Sequence, residues 1–71
     1  MTHPYSMMIR WSPEDRAYLV MLPELYGENR YCTHGNSYEE AAKNGREVME
    51  LLIETYQAEG RPLPEPSLVK A

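Results

Sequence analysis

Cys32 and His34 stand two residues apart, and His3 is the only other histidine in the chain. On a strand, that spacing places a thiol and an imidazole on one face, as a cysteine nucleophile or the start of a metal site would require. Neither chemistry is complete. A structural zinc takes four ligands at fixed spacings, and the sequence supplies no second pair. A nucleophilic pair needs an orienting third group and an oxyanion loop, and no segment offers them. Cys32 therefore reads as a packed thiol, His34 as a strand-end residue, and no metal or other cofactor is expected. Glu14 and Asp15 are adjacent carboxylates, as are Glu39 and Glu40. Acids that perform hydrolysis must converge on a substrate from a cleft, whereas a turn and a helix start already account for these two pairs. Phosphate loops, nucleophile elbows and H-E-x-x-H are absent from the sequence. Trp11 and the six tyrosines lack the interleaved Lys or Arg of a base-stacking groove, so they read as core and interface. The residues do not point to an enzyme.

The elements that must position these side chains belong to a short chain. Seventy-one residues make a single domain, 1–71, with marginal stability from its own core. One cysteine excludes a disulfide framework, so self-association or a lasting partner is the expected remedy. Eleven acidic and seven basic residues leave a formal charge of -4. Without a basic stripe, direct nucleic-acid binding by this chain is disfavoured, while an acidic surface suits a basic protein partner. Apolar runs fall short of the roughly 20 residues that span a bilayer. An N-terminus without signal-peptide character and a lone unpaired thiol are expectations for a cytoplasmic protein.

Tyr5, Met7, Ile9 and Trp11 alternate with Ser6, Met8 and Arg10, the period-two pattern of a half-buried strand. A turn over Ser12 to Arg16, with Pro13 presetting φ, leads to a second strand over Ala17 to Leu22. Pro23 stops that strand because it cannot donate to the ladder. Residues 23 to 30 read as a loop, and Tyr31 to His34 as a short third strand ended by Gly35 and Asn36. Ser37, Tyr38, Glu39 and Glu40 form a capping box: the Ser37 hydroxyl accepts from Glu40 N–H, and the Glu40 carboxylate reaches back to Ser37 N–H. The helix this opens runs from about 38 to 59 and ends at Gly60. Its core stripe at 100° per residue is Tyr38, Ala41, Gly45, Val48, Leu52 and Tyr56, flanked by Leu51 and Ile53. Glu39, Lys43, Arg46, Glu47, Glu50, Glu54 and Gln57 take the opposite face. Residues 61–71, with Pro62, Pro64 and Pro66, read as an extended Pro-rich tail in which Leu68 and Val69 could add a short fourth strand.

The expected fold is therefore α+β: a β-β-β-α chain with a small antiparallel sheet and one long helix on one face. One helix covers one face only. If Tyr5, Met7, Ile9 and Trp11 point to the helix, the far side holds Met8, Leu19 and Met21, an apolar area suited to self-association.

The order of these pieces resembles the HicB antitoxin family over residues 5 to 67. The resemblance rests on Y-S-M-M-I-R-W in the first strand, the acidic turn at Pro13 to Asp15, and L-P-E-L-Y-G at Leu22 to Gly27. It continues in T-H-G-N-S-Y-E-E-A at Thr33 to Ala41 and G-R-P-L-P-E-P-S at Gly60 to Ser67. The order and spacing carry it, rather than any single motif. Such a resemblance implies a reduced ribonuclease-H-like core that is not itself catalytic. It also implies self-association and neutralisation of a HicA-type toxin, a small basic mRNA-cleaving RNase, by occlusion of its active surface. Longer members of that family continue into a DNA-binding domain, whereas this sequence stops at Ala71, so autorepression by this chain alone is not expected. The segment from Gly27 to Tyr31 is longer than usual in the family, and Tyr26 stands where Pro is common.

The functional expectation is an antitoxin-like protein that binds a HicA-type toxin, with the acidic turn and loop (Glu14, Asp15, Glu24, Glu28) as its partner-binding residues. Met8, Leu19 and Met21 would serve self-association into a homo-oligomer. The alternative is an orphan homo-oligomeric α/β module binding another protein or a small ligand. Gly45 offers a direct test of the helix placement. It costs about 1 kcal/mol relative to Ala in a helix interior, which close approach of helix to sheet would explain. Chemical denaturation of Gly45→Leu should then show a clear loss of stability, and an unchanged midpoint would sink the close-approach idea.

Overall fold

The computed structural model describes residues 5–27 and 29–65. Three strands, β1 (Met8–Ser12), β2 (Ala17–Met21) and β3 (Tyr31–Gly35), form an antiparallel sheet in the order β1-β2-β3. Helix α1 (Pro23–Tyr26) is a single turn between β2 and β3, and α2 (Tyr38–Ala58) is the long helix. This is a small α+β fold, with the sheet on one side and α2 laid across it.

The hairpin register decides which side chains meet the helix. Ile9 pairs with Val20 and Trp11 with Tyr18, while Met8 pairs with Met21 and Arg10 with Leu19. Directly opposed residues share a face, so the first set looks toward α2 and the second away from it. Val20 and Leu22 are fully buried under the helix. The turn over residues 13–16 closes with the Ser12 hydroxyl donating to Asp15 Oδ2 at 2.8 Å and accepting from Asp15 N–H at 3.3 Å. Arg16 carries φ of 51°, a left-handed conformation that a non-glycine residue adopts at some cost.

Residues 23 to 30 are not all loop. Pro23 ends the strand but also occupies the first position of α1, where its missing N–H would have been unpaired anyway. Tyr26 N–H donates to Leu22 O at 2.8 Å, and the turn swings Leu25 into the core. Leu22, Leu25, Met49 and Ile53 form the central cluster, with Tyr5, Met7, Cys32 and Tyr56 packed against it.

At the start of α2, Ser37 is the cap, and its hydroxyl accepts from Glu40 N–H at 3.0 Å. The reciprocal arm lands one residue earlier than the capping-box reading places it: Glu40 Oε1 accepts from Asn36 N–H at 3.0 Å. At the other end, Gly60 N–H donates to Gln57 O and Arg61 N–H to Tyr56 O, with Gly60 at φ of 68°. These paired bonds and the left-handed glycine are a Schellman terminus.

The buried line of α2 is Ala41, Gly45, Met49 and Ile53, with Val48, Leu52 and Tyr56 half-buried beside it. This is rotated from the expected stripe. Ile53 is core rather than flank, and Met49 joins it, because the cluster around α1 lies to that side of the helix. Tyr38 is 58% exposed; its ring meets Tyr18 at a centroid distance of 4.2 Å, and Tyr18 in turn meets Trp11 at 5.0 Å. Leu51 faces solvent.

Beyond the helix, Tyr5 Oη donates to Pro64 O at 2.7 Å, and Arg61 lies 4.4 Å over the Tyr56 ring. Residues 61–65 thus run without regular structure and are fastened at the helix side of the sheet. The expected fourth strand at Leu68 and Val69 lies outside the described residues. The Arg61–Glu59 ion pair is exposed on both sides and contributes little.

Two glycines mark where helix and sheet approach. A Cβ on Gly45 would stand 2.8 Å from Met7 Sδ and 3.0 Å from Val20 Cγ1. A Cβ on Gly35 would meet backbone instead, 2.4 Å from Ala41 N and 2.7 Å from its Cα. The thioether can swing aside, whereas the first turn of α2 cannot move without shifting the helix. Gly35→Ala should therefore cost about 3 kcal/mol, the upper part of the range for overpacking. Gly45→Ala should change stability by less than about 1 kcal/mol, its clash being offset by helix propensity. Urea titration of both variants checks the ranking; equal losses would contradict it.

Candidate functional site

The face of the sheet away from α2 is not covered by any described element. Met8, Arg10, Leu19, Met21 and His34 lie on it by register, and Tyr31 joins them as the cross-strand partner of Met21. Two open hollows of about 320 Å³ and 420 Å³ meet there, sharing Asp15, Leu19 and Tyr31. The first extends beneath Arg10 and the hairpin turn with Glu14, and the second toward His34. Their walls mix aromatic, aliphatic, acidic and basic groups and enclose nothing. Such a surface suits coverage by another macromolecule better than capture of a small molecule, which normally sinks into a closed apolar cavity.

The four acidic residues read as partner-binding do not behave alike. Glu14 and Asp15 are exposed in the hairpin turn, and both line the first hollow. Glu24 is half-buried on α1, where its two carboxylate oxygens accept from Ser6 N–H at 2.9 Å and Ser6 Oγ at 3.0 Å. That carboxylate ties α1 to the approach of β1, a structural task that its sequence position concealed. Glu28 lies outside the described residues.

The three residues read as a self-association patch also differ. Met8 is 53% exposed, but Met21 is only 8% exposed and Leu19 is half-buried. Met21 sits on the central strand between Met8 and Tyr31, whose large side chains flank it. Tyr31, at 44% exposure, is the apolar member of this face that sequence reading missed. Its signal was its place at the start of β3, opposite the end of β2, which only the register reveals.

Cys32 and His34 do not share a face. The ladder shifts between Val20 and Met21, so that Thr33 opposes Val20 while Tyr31 opposes Met21, and Cys32 is the extra residue of a bulge. Cys32 packs against the helix-side cluster and its Sγ donates to Val20 O at 3.5 Å. His34 pairs with Leu19 on the open face. Among the described residues, no three His, Cys, Asp or Glu side chains are grouped so as to hold a metal ion. No described helix is long and apolar enough to cross a membrane.

Burial pushes the Cys32 thiol above its ordinary value, and its backbone hydrogen bond only partly offsets this. A raised folded-state value means that the unfolded thiol ionises first. The resulting loss of stability begins above the ordinary thiol value of 9.0 and grows as pH rises toward the folded value.

No protein-family model, curated protein or solved structure matches this chain. Its geometry therefore stands alone in describing the surface.

Reactivity tests the placement of the thiol. At mildly alkaline pH, Cys32 should react with Ellman's reagent roughly tenfold more slowly than a free thiol, and denaturant should restore the ordinary rate. Reaction at the free-thiol rate in the folded protein would place Cys32 in solvent.

Proposed function

We propose that this chain is a protein-binding module of the antitoxin kind, which occludes a small basic RNase toxin of the HicA type. The reading takes its family from the ordered sequence motifs. The observation that carries it is the open sheet face, where Met8, Leu19 and Tyr31 are bordered by the acidic turn of Glu14 and Asp15. Apolar contacts at the centre with charge at the rim is the anatomy of a specific protein interface. The remaining exposed acids on α2, Glu39, Glu47, Glu50 and Glu54 among them, add to a negative field that speeds encounter with a basic partner. A reduced ribonuclease-H-like ancestry belongs to the same proposal, since a three-stranded meander under one long helix accords with it.

Co-expression is the test. A HicA-type toxin encoded beside this gene should arrest bacterial growth alone, and this chain should restore growth and co-elute with the toxin. Leu19→Arg, at the centre of the face, should abolish rescue while the circular dichroism of the chain is retained. The double change Glu14→Lys and Asp15→Lys should weaken binding roughly tenfold, equivalent to about 1.4 kcal/mol, and flatten its salt dependence. Arrest without rescue or complex would remove the proposal.

A further inference from the structure

Two tyrosines of this chain are already covered by an arginine. Arg30 lies 4.5 Å over the Tyr26 ring, and Arg61 lies 4.4 Å over the Tyr56 ring. A larger aromatic surface has no such cover. Trp11 on β1, Tyr18 on β2 and Tyr38 at the start of α2 meet in a row, with centroids 5.0 Å and 4.2 Å apart. Neighbouring rings are tilted by 58° and 43°, and the two outer residues, Trp11 and Tyr38, are 46% and 58% exposed. Among the described residues, no Arg or Lys lies over any of the three rings. Arg16 in the adjoining turn and Lys43 and Arg46 on α2 are exposed and make no ring contact.

The row lies on the helix side of the sheet, at the end where the hairpin turn and the start of α2 come together. That end is acidic. Glu14 and Asp15 stand in the turn, and Glu39 and Glu40 in the first turn of α2. Asp15 is bonded to the Ser12 hydroxyl and Glu40 to Asn36 N–H, whereas Glu14 and Glu39 are exposed with no side-chain bond among the described residues. None of the four is in an ion pair there. An aromatic face is the negative end of its quadrupole, and nearby carboxylates deepen that potential. The dipole of α2 opposes this with only about half a positive charge. A cation is therefore the favoured occupant, and a guanidinium suits it best, being planar and weakly hydrated. Nucleobases also stack on such rings, but their phosphates would meet these acids on a chain of formal charge -4.

We infer that Trp11, Tyr18 and Tyr38 form a docking surface for an arginine side chain of a basic protein partner. The guanidinium stacks on the rings, as Arg30 and Arg61 do elsewhere in the chain, and Glu14 and Glu39 supply the opposite charge at close range. This surface is separate from the open sheet face, because Trp11 and Tyr18 look toward α2. The inference rests on the antitoxin reading only for the basic character of the partner.

Trp11 is the only tryptophan, so its fluorescence reads this surface directly. The probe is a blocked Gly-Arg-Gly-Arg-Gly peptide, titrated into the full chain at low salt. Its control has citrulline in place of arginine, which keeps the planar shape and removes the charge. The arginine peptide should change Trp11 emission saturably, and the citrulline peptide should bind roughly tenfold more weakly. Tyr38→Ser should weaken arginine-peptide binding several-fold with circular dichroism unchanged, while Tyr38→Phe, which keeps the ring, should restore it. Glu14→Gln with Glu39→Gln should weaken it and flatten its salt dependence. Equal response to both peptides, or none to either, would overturn the inference. So would equally tight binding of a neutral Pro-rich peptide or of oligothymidylate. A shift of Trp11 emission that grows with protein concentration alone would assign the surface to a second copy and overturn it as well. The titration needs no toxin, so its failure leaves the co-expression test standing, and failure of rescue leaves the titration standing.

Discussion

Gly35 lets the end of β3 pass so close to the first turn of α2 that a methyl group would strike the backbone of Ala41. Everything on the helix side follows from that contact. Only two residues separate the strand from the helix, so the direction in which the chain leaves Gly35 sets the line along which α2 crosses the sheet. Three hydrogen bonds hold the junction: Glu40 N–H to the Ser37 hydroxyl, Asn36 N–H to the Glu40 carboxylate, and the Asn44 amide to the His34 carbonyl. A cap of this kind contributes about 1 kcal/mol. Its larger effect here is to fix where Ala41, Gly45, Met49 and Ile53 come down on Val20, Leu22 and Leu25.

With the helix held there, the core lies wholly on one side of the sheet. A bulge at Cys32 and the turn of α1 both serve that side, the first by tucking a thiol into the cluster and the second by delivering Leu25. Tyr5 then pins Pro64 at the same side. The consequence is an opposite face with partly shielded aliphatic residues, an exposed tyrosine and methionine, and an acidic turn at one end. A second consequence is the inequality of the sheet edges, since the helix that engages β3 cannot also reach the outer groups of β1.

Much of this was legible in the residues. Alternation from Tyr5 to Trp11, the turn at Pro13 and the S-x-x-E box gave the strands, the hairpin and the helix start, because each depends on neighbours within a few positions. The α+β class followed. The inward placing of Met7 and Ile9 followed too, since one face of a strand must be apolar wherever a helix lies on it, whereas the buried Val20 came from the register. Less legible were α1, the rotation of the helix stripe, and the divergence of Cys32 from His34. Pro23 is compatible with both a strand end and a first helical position, and a period-two reading cannot foresee an inserted residue.

Local patterning, then, sufficed for the kinds of element, their order and the polarity of each face, because these are properties of short windows and of backbone stereochemistry. Contacts between distant segments settled the rest: that Glu24 holds Ser6, that Met21 is sheltered between Met8 and Tyr31, and that Asn44 engages the main chain of β3. No window of neighbouring residues contains those pairings. They exist only once α2 has taken its course over the sheet, which a single glycine without a side chain permits.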